Sequence, residues 1–514
     1  MPWLNIGEAI SVNAAKYPGR LAVKDARRAL TAQEYEKRTN KLANGLLRGL
    51  EKGDKIAILS NNSVEFMEVY AAAAKAGLVV VPLNFRLPPD DINFIIGNSD
   101  AKMLLVEERF REEAAKSLDT AALEVVPIGG QDAGWACYEE IVAQGEDTPP
   151  SVKVRPEDAW VILYTSGTTG RPKGVVRSHR SYVAFFLVNE AEFSFTPQDY
   201  GMILMPLSHV NSTFYSFVFT YLGAPVYVHR EYNYNPEEVL RIIDGEKITF
   251  TSMIPTHYNL ILNLPEEVKR RYDLSSIRTL LTSSAPATKE MKLKVMELFR
   301  GVRLFEAYGS TEAGLVTLLR PEDQMSKLGS IGKECIGTDR ILLLDEEGNP
   351  VPPGEVGELY SRSPQIFDEY YKMPDKTKEA FRGGLFSAGD MAVKDKDGFY
   401  YLVDRKANMI ITGGEHVFPS EVEKVILSHP AVLECAVVGL QDPKWGEAVT
   451  AVCVLREGMA PSAPLEEEIR QFCDGRMARF KKPKRVLFLS EGEMPKTASG
   501  KIVHRLLRER LQGM

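Results

Sequence analysis

The sequence predicts an α/β protein: a large N-terminal domain of α/β sheets with a β-rich subdomain, followed by a small α+β C-terminal domain. Three observations carry this. The chain has 514 residues, beyond the roughly 250–300 residues at which a single hydrophobic core stops growing. Short apolar runs alternate with helix-period segments up to about residue 305, the pattern of βαβ units. After about residue 340 the pattern changes to short strand-like pieces punctuated by Gly and Pro, which are turn signals.

In chain order, residues 56–59, 64–76 and 78–81 read as strand, helix and strand, one βαβ unit. Residues 145–152, with paired prolines, read as a loop. Similar α/β pieces recur at 248–254, and at 279–281, 289–299 and 302–305. The β-rich subdomain is built from 341–344, a Gly/Pro-rich turn at 346–353, and 358–361. A boundary near Asp404 to Asn408 divides the chain into 1–404 and 405–514. Beyond it the periodicity gives a helix at 419–427, strands at 434–438 and 449–455, a helix at 465–477 and a strand at 485–489.

Composition narrows the functional classes. The net charge of −7 is small for this length, so neither nucleic acid nor an anionic membrane is indicated as a partner. The longest apolar tract, 69–83, is interrupted by Lys75 and falls short of the roughly 20 residues a spanning helix needs. Residues 1–10 lack a basic stretch followed by an apolar run, so the expectation is a cytoplasmic protein without a membrane span. Cys137, Cys335, Cys435, Cys453 and Cys473 form neither a CxxC pair nor a Cys/His cluster and read as reduced, mostly structural thiols.

The most informative string runs from Tyr164 to Gly174. It reads Tyr-Thr-Ser-Gly-Thr-Thr-Gly-Arg-Pro-Lys-Gly and follows the apolar strand 160–163. Glycines let backbone amides turn toward an anion, hydroxyls add donors, and Lys173 supplies positive charge. Gly167, Gly170 and Lys173 are three apart, so this is not the GxxxxGK[ST] phosphate loop.

With this string the chain resembles the adenylate-forming superfamily of acyl-CoA synthetases, luciferases and peptide-synthetase adenylation domains. The resemblance continues through Tyr308-Gly-Ser-Thr-Glu312-Ala-Gly, Ser387-Ala-Gly-Asp390, the stretch from Asp404 to Glu423, and Pro495-Lys-Thr-Ala-Ser-Gly-Lys501. It implies ATP, Mg²⁺ and coenzyme A as cofactors, and an acyl-adenylate as intermediate. It also implies a set of roles. Thr165, Ser166, Gly167, Thr169, Gly170 and Lys173 cradle phosphates, and Thr168 and Thr311 touch them. Glu312 holds the magnesium, an ion that favours one or two carboxylates plus phosphate oxygens. Ser283, Ser284, Ala285 and Pro286 wall the adenine, Tyr308 stacks on the base, and Glu306, Ala307 and Gly309 belong to the cofactor-binding set. Asp390 accepts from the ribose hydroxyls while Arg405 donates. Lys501 bridges the carboxylate and the α-phosphate, with Lys496 the weaker candidate for that role. His209 lies between acid and thiol channels, and Gly413 and Gly414 let the pantetheine arm pass near backbone.

The resemblance further implies that the C-terminal domain is mobile and rotates between half-reactions. This chain departs from the family pattern at two places. Ala388 stands where Thr is usual, and Ala407 where the hinge residue is usually Asp or Lys.

Around His209 the residues Asn211, Ser212, Thr213, Thr256 and His257 suggest a partly polar lining. That points to a small or medium carboxylic acid, and no arginine is evidently placed to bind a second carboxylate. The leading reading is an acid:CoA ligase releasing AMP and pyrophosphate. A carrier-protein loader, a peptide-synthetase adenylation enzyme and a non-catalytic nucleotide-binding protein remain as alternatives, and a homodimer is an open option.

Overall fold

The computed structural model describes residues 5–120, 123–129, 137–165, 171–230, 233–285, 287–338, 341–490, 492–496 and 502–512. They pack as two units. The first holds the described residues up to Ile341 together with Ser361–Phe386; the second holds Leu342–Tyr360 and the described residues from Ser387 onward.

The first unit contains two large sheets. In the seven-stranded one, Lys55–Leu59 and Val79–Leu83 run parallel around the helix Val64–Ala76, as the βαβ reading requires. The helix starts at Ser63, whose hydroxyl accepts from Phe66 N, and stops at Gly77 in left-handed backbone. All thirteen helical residues are buried. A helix buried on every face belongs in an interior, its three charged residues Glu65, Glu68 and Lys75 included, and here the 69–83 tract divides into that helix and its following strand. No helix among the described residues is long and apolar enough to cross a membrane. Lys75, inside the tract, is paired with Glu36 and donates to Asn40 Oδ1 at 2.7 Å. Burial lowers its pKa to about 8, against the pull of Glu36.

The nine-stranded sheet has at its centre Arg303–Ser310, Thr279–Ser283, Phe250–Met253, Gly201–Ile203 and Val226–Val228, all parallel. Their alternation sets two cores. Phe250, Leu281 and Phe305 face a cluster with Phe193, Tyr215 and Phe219, whereas Leu280 and Leu304 pack with Met291 and Val295 of the helix Lys289–Leu298. Each such buried side chain contributes about 1.5–3 kcal/mol. The carboxyl ends of these strands share one edge, where open α/β sheets gather their ligands.

The second unit pairs a four-stranded antiparallel sheet with a five-stranded one. The first comprises Leu342–Leu344, Val356–Tyr360, Asp390–Lys394 and Tyr400–Arg405. The second is built on Val432–Asp442 and Gly446–Leu455, with Arg485–Leu489 parallel to the latter. The sequence divides the chain at 404/405, while in the packing the four-stranded sheet groups with the C-terminal residues. The helix expected at 465–477 is Ala463–Phe472: Ser462 caps it early, accepting from Leu465 N, and Gly475 sits in left-handed backbone just past its end. The described cysteines are free thiols, four of them buried.

One ion pair in this unit makes its stability depend on pH. His504 Nε2 lies 2.7 Å from Glu423 Oε1, which also accepts from Val437 N. Burial opposes the imidazolium, but Glu423 and then Asp404 outweigh it, and the pKa rises above its ordinary value. The stabilisation is therefore fully present below the unfolded pKa of about 6.5 and is lost as pH rises through the elevated folded value. Urea unfolding of the C-terminal transition should show a lower midpoint at about pH 8.5 than at about pH 6. In His504→Gln that difference should shrink; an unchanged difference would place its origin elsewhere.

Candidate active site

The site in the first unit is built on two hairpins. In one, Ala159–Thr165 pairs antiparallel with Lys173–Ser178, and Thr165 lies opposite Lys173. The base of the phosphate loop is therefore fixed; Ser166, Gly167, Thr168, Thr169 and Gly170 lie outside the described residues. Lys173 Nζ sits 5.1 Å from the centre of the Tyr370 ring.

In the other hairpin, Arg303–Ser310 turns into Gly314–Leu319. A Cβ on Gly309 would lie 2.0 Å from Gly314 O, and Gly314 has φ +75. Close approach and left-handed backbone both demand glycine at these places. Ser310 Oγ accepts from Ala313 N at 3.0 Å and tightens the tip. Glu312, on that tip, is held from several sides: Tyr370 donates its phenol to Oε1 at 2.9 Å, and Phe367 N donates to the Glu312 carbonyl at 2.7 Å. Arg177 Nη1 donates to Thr311 O at 2.6 Å, and its Nη2 donates to Gln365 O. Gln365 in turn bonds both backbone groups of Leu315.

Arg177 is fully buried, and burial lowers its pKa to about 10 despite Tyr182, Asp368 and Glu312. It remains a cation at neutral pH. Sequence reading missed Arg177, Gln365 and Tyr370. For Arg177 the sequence offers only its place directly after Val175 and Val176, a weak signal in a strand that also holds Lys173 and Ser178.

The other residues assigned to the site in this unit lie on neighbouring strand ends. Ser283 pairs in register with Ala307; Ser284 has φ +70 and, with Ala285, is exposed. Pro286 lies outside the described residues. Tyr308 and Thr311 are half-buried at the hairpin. The Glu306 side chain turns to the other face of the sheet and pairs with buried Lys292 at 2.5 Å. Burial raises its pKa, with Lys292 working against that rise.

His209 occupies the N-cap position of the helix Val210–Leu222. Asn211 Nδ2 donates to Ser252 Oγ at 3.0 Å and to Ser283 Oγ at 3.4 Å, linking the helix to two strand ends. The expected lining needs correction at Ser212 and Thr213. Both are buried, and their hydroxyls donate to Met205 O and Leu207 O, closing the preceding loop instead of lining a cavity. Thr256 is exposed. His257 stacks on Tyr234 at 4.1 Å, and burial first, then Arg86 and His229, hold its pKa down to about 4.

In the second unit, Asp390 and Arg405 are cross-strand partners with an ion pair of 2.6 Å. Arg405 also donates to Ala388 O at 3.4 Å. Asp404 accepts from Arg405 N, Asn408 Nδ2 and Ser420 N, so the turn holding Ala407 is tied down beside an exposed residue. Gly413 and Gly414 form the turn of a hairpin, both with positive φ. Gly413 N donates to Trp445 O at 2.7 Å, and the Trp445 ring lies 4.9 Å from both Lys444 Nζ and Lys484 Nζ. Sequence reading did not single out Trp445 or these lysines. Lys496 is engaged by Glu434 at 2.6 Å, and Lys501 lies outside the described residues.

The fold and these motifs define an adenylating enzyme. The AMP-binding enzyme family matches residues 10–371, and the AMP-binding enzyme C-terminal domain matches residues 421–501. The chain belongs to this family, the adenylate-forming superfamily, as an acyl-CoA synthetase. It is 34% identical over 496 residues to a feruloyl-CoA synthase of an Amycolatopsis species, with 96% of each chain covered. It is 32% identical over 502 residues to a 2-succinylbenzoate–CoA ligase of Bacillus velezensis, again with 96% of each covered. Among solved structures, it resembles the o-succinylbenzoate CoA synthetase of Bacillus subtilis in complex with its acyl-adenylate intermediate. That match has a TM-score of 0.84 and 28% identity, with 97% of each chain covered.

Proposed function

We propose that this enzyme condenses a small to medium carboxylic acid with ATP and transfers the acyl group from the adenylate to coenzyme A. The observation that carries the nucleotide half is the Glu312 hairpin, whose carboxylate is oriented by Tyr370 and whose backbone is held by Arg177 and Phe367. A Mg²⁺ carried mainly by phosphate oxygens needs only one or two protein carboxylates, and Glu312 is suited to supply one. The same Bacillus subtilis enzyme has been solved with ATP and a magnesium ion.

When bound, Mg²⁺ neutralises phosphate charge and eases departure of pyrophosphate. The protein's part is to hold two anions together. Lys173 and the loop ahead of it face the phosphates, Tyr308 and the Ser283–Ala307 strand ends receive the base, and Asp390 with Arg405 receives the ribose. Lys501 places an ammonium between carboxylate and α-phosphate. Residues 405–514 move as a body about the Asp404–Asn408 turn between half-reactions. For coenzyme A, the Gly413–Gly414 turn beside Trp445 offers a narrow backbone passage, and Lys444 and Lys484 supply charge for its phosphates.

The acid pocket is assigned to the strand ends where the Asn211 amide donates to the Ser252 and Ser283 hydroxyls, which are neutral polar groups. The acid it selects is accordingly compact and bears an uncharged polar substituent, as hydroxylated aromatic acids do. A panel of carboxylic acids assayed for AMP release, with and without coenzyme A, tests this. The reading fails if no acid releases AMP, or if release never yields a CoA thioester. Asn211→Leu should lower kcat/KM for polar-substituted acids by about tenfold or more while leaving unsubstituted acids of equal size nearly unchanged. A uniform loss across the panel would remove Asn211 from selection.

A further inference from the structure

Arg177 is the most unusual group in the first unit. It is a charged side chain with no exposed surface, placed on a strand directly after the phosphate loop. Among the described residues its hydrogen bonds run to peptide carbonyls: Thr311 O at 2.6 Å, Glu312 O at 3.4 Å and Gln365 O. Carbonyls satisfy donors without cancelling charge, so the guanidinium delivers its positive charge to the underside of the Thr311–Glu312 peptide. The guanidinium also lies 4.8 and 5.3 Å from the Phe214 and Tyr182 rings. These aromatic neighbours screen the charge little, and the Asp368 and Glu312 carboxylates act on it from nearby.

If its task were only to fill space, an apolar side chain of the same length would serve better, since burying a charge is costly. What an arginine adds is a rigid fork that fixes three carbonyls from two separate segments. One segment carries Glu312; the other, 365–370, carries Phe367 and Tyr370, which bond the Glu312 backbone and carboxylate. The fork thus joins the Glu312 segment to the start of the segment that carries Phe367 and Tyr370, whose far end pairs with Val175 and Val176 on the arginine's own strand.

We propose that Arg177 is a positioning residue for the metal–triphosphate end of the site, fixing the Thr311–Glu312 peptide from behind so that the carboxylate meets Mg²⁺ already oriented. This rests on the adenylation reading above. The test is calorimetric binding of ATP to the full chain, in Mg²⁺ and in EDTA, for the parent, Arg177→Met and Arg177→Lys, with thermal unfolding of each as a check on folding. In the parent, Mg²⁺ tightens ATP binding. In Arg177→Met that metal-dependent gain should fall by about tenfold or more, while affinity in EDTA stays within about twofold. Arg177→Lys, which keeps one donor to a carbonyl, should recover part of the gain.

A folded Arg177→Met whose gain matches the parent overturns the proposal. So does an equal loss with and without metal, which would mark a general packing defect, and so does failure of both variants to fold, which would assign the residue to the fold alone. A parent that binds ATP without any response to Mg²⁺ overturns the adenylation reading itself, and the proposal with it.

Discussion

In Lys501→Ala, acid-dependent exchange of pyrophosphate into ATP should fall by about 10²–10³-fold, the size of effect seen when one group that stabilises developing charge is removed. Thioester formation from coenzyme A and preformed acyl-adenylate should fall by less than about threefold in the same variant. The split follows from charge. In the first half-reaction a carboxylate must approach a triphosphate, and repulsion between them is the barrier that a compact ammonium offsets. In the second, the thiol attacks a neutral acyl carbonyl beside a phosphate that carries a single negative charge, so much less repulsion remains. Arg should substitute poorly, because its charge is spread over a planar fork suited to two oxygens of one group. Exchange that survives within about tenfold of the parent would move the role to another cation. Lys496 is the nearest lysine in sequence, yet Glu434 already engages it at 2.6 Å, so Lys496→Ala should leave exchange almost intact.

How much of this was legible in the sequence depends on how local the determinant is. The βαβ unit at 55–83 was readable because strand and helix periods are written in consecutive residues, and Ser63 and Gly77 mark the helix ends. The string from Tyr308 to Gly314 was recognised through the family resemblance, and the structure supplies its local reason: Gly309 and Gly314 are demanded by one tight hairpin. Arg177 was not readable. Its partners lie 134 and 188 residues away, and no local pattern announces a side chain whose role is set by tertiary contacts. Ser212 and Thr213 misled for a related reason. Hydroxyls next to His209 suggest a polar pocket, but their acceptors are carbonyls of the preceding loop. The Lys292 partner of Glu306 belongs to the helix on the far face of the sheet, so only the strand's alternation could have hinted at it.

The Gly413 turn allows the opposite separation of half-reactions. Gly413 has φ +60, and a Cβ there would come within 3.1 Å of Trp445 Cε3. A β-branched residue meets both obstacles: left-handed backbone costs a non-glycine residue roughly 1–2 kcal/mol, and the indole has to shift although Gly413 N is bonded to Trp445 O at 2.7 Å. Because the hairpin Ile410–Thr412 and Glu415–Val417 is short and paired at its edge to the strand Gly446–Leu455, the strain falls on the turn and the indole rather than on the unit's core. Gly413→Val should therefore lower thioester formation by about 100-fold, the loss that a displacement of about 1 Å can cause in a positioned reaction. Pyrophosphate exchange should stay within about threefold of the parent. Trp445→Ala in the same background separates the two obstacles, since it removes the ring and leaves the backbone strain. Partial recovery of thioester formation in the double variant would show that the indole's displacement is what blocks the thiol. Equal loss of both half-reactions in Gly413→Val would instead mean that this turn supports the folding of the whole second unit and has no particular bearing on the acceptor.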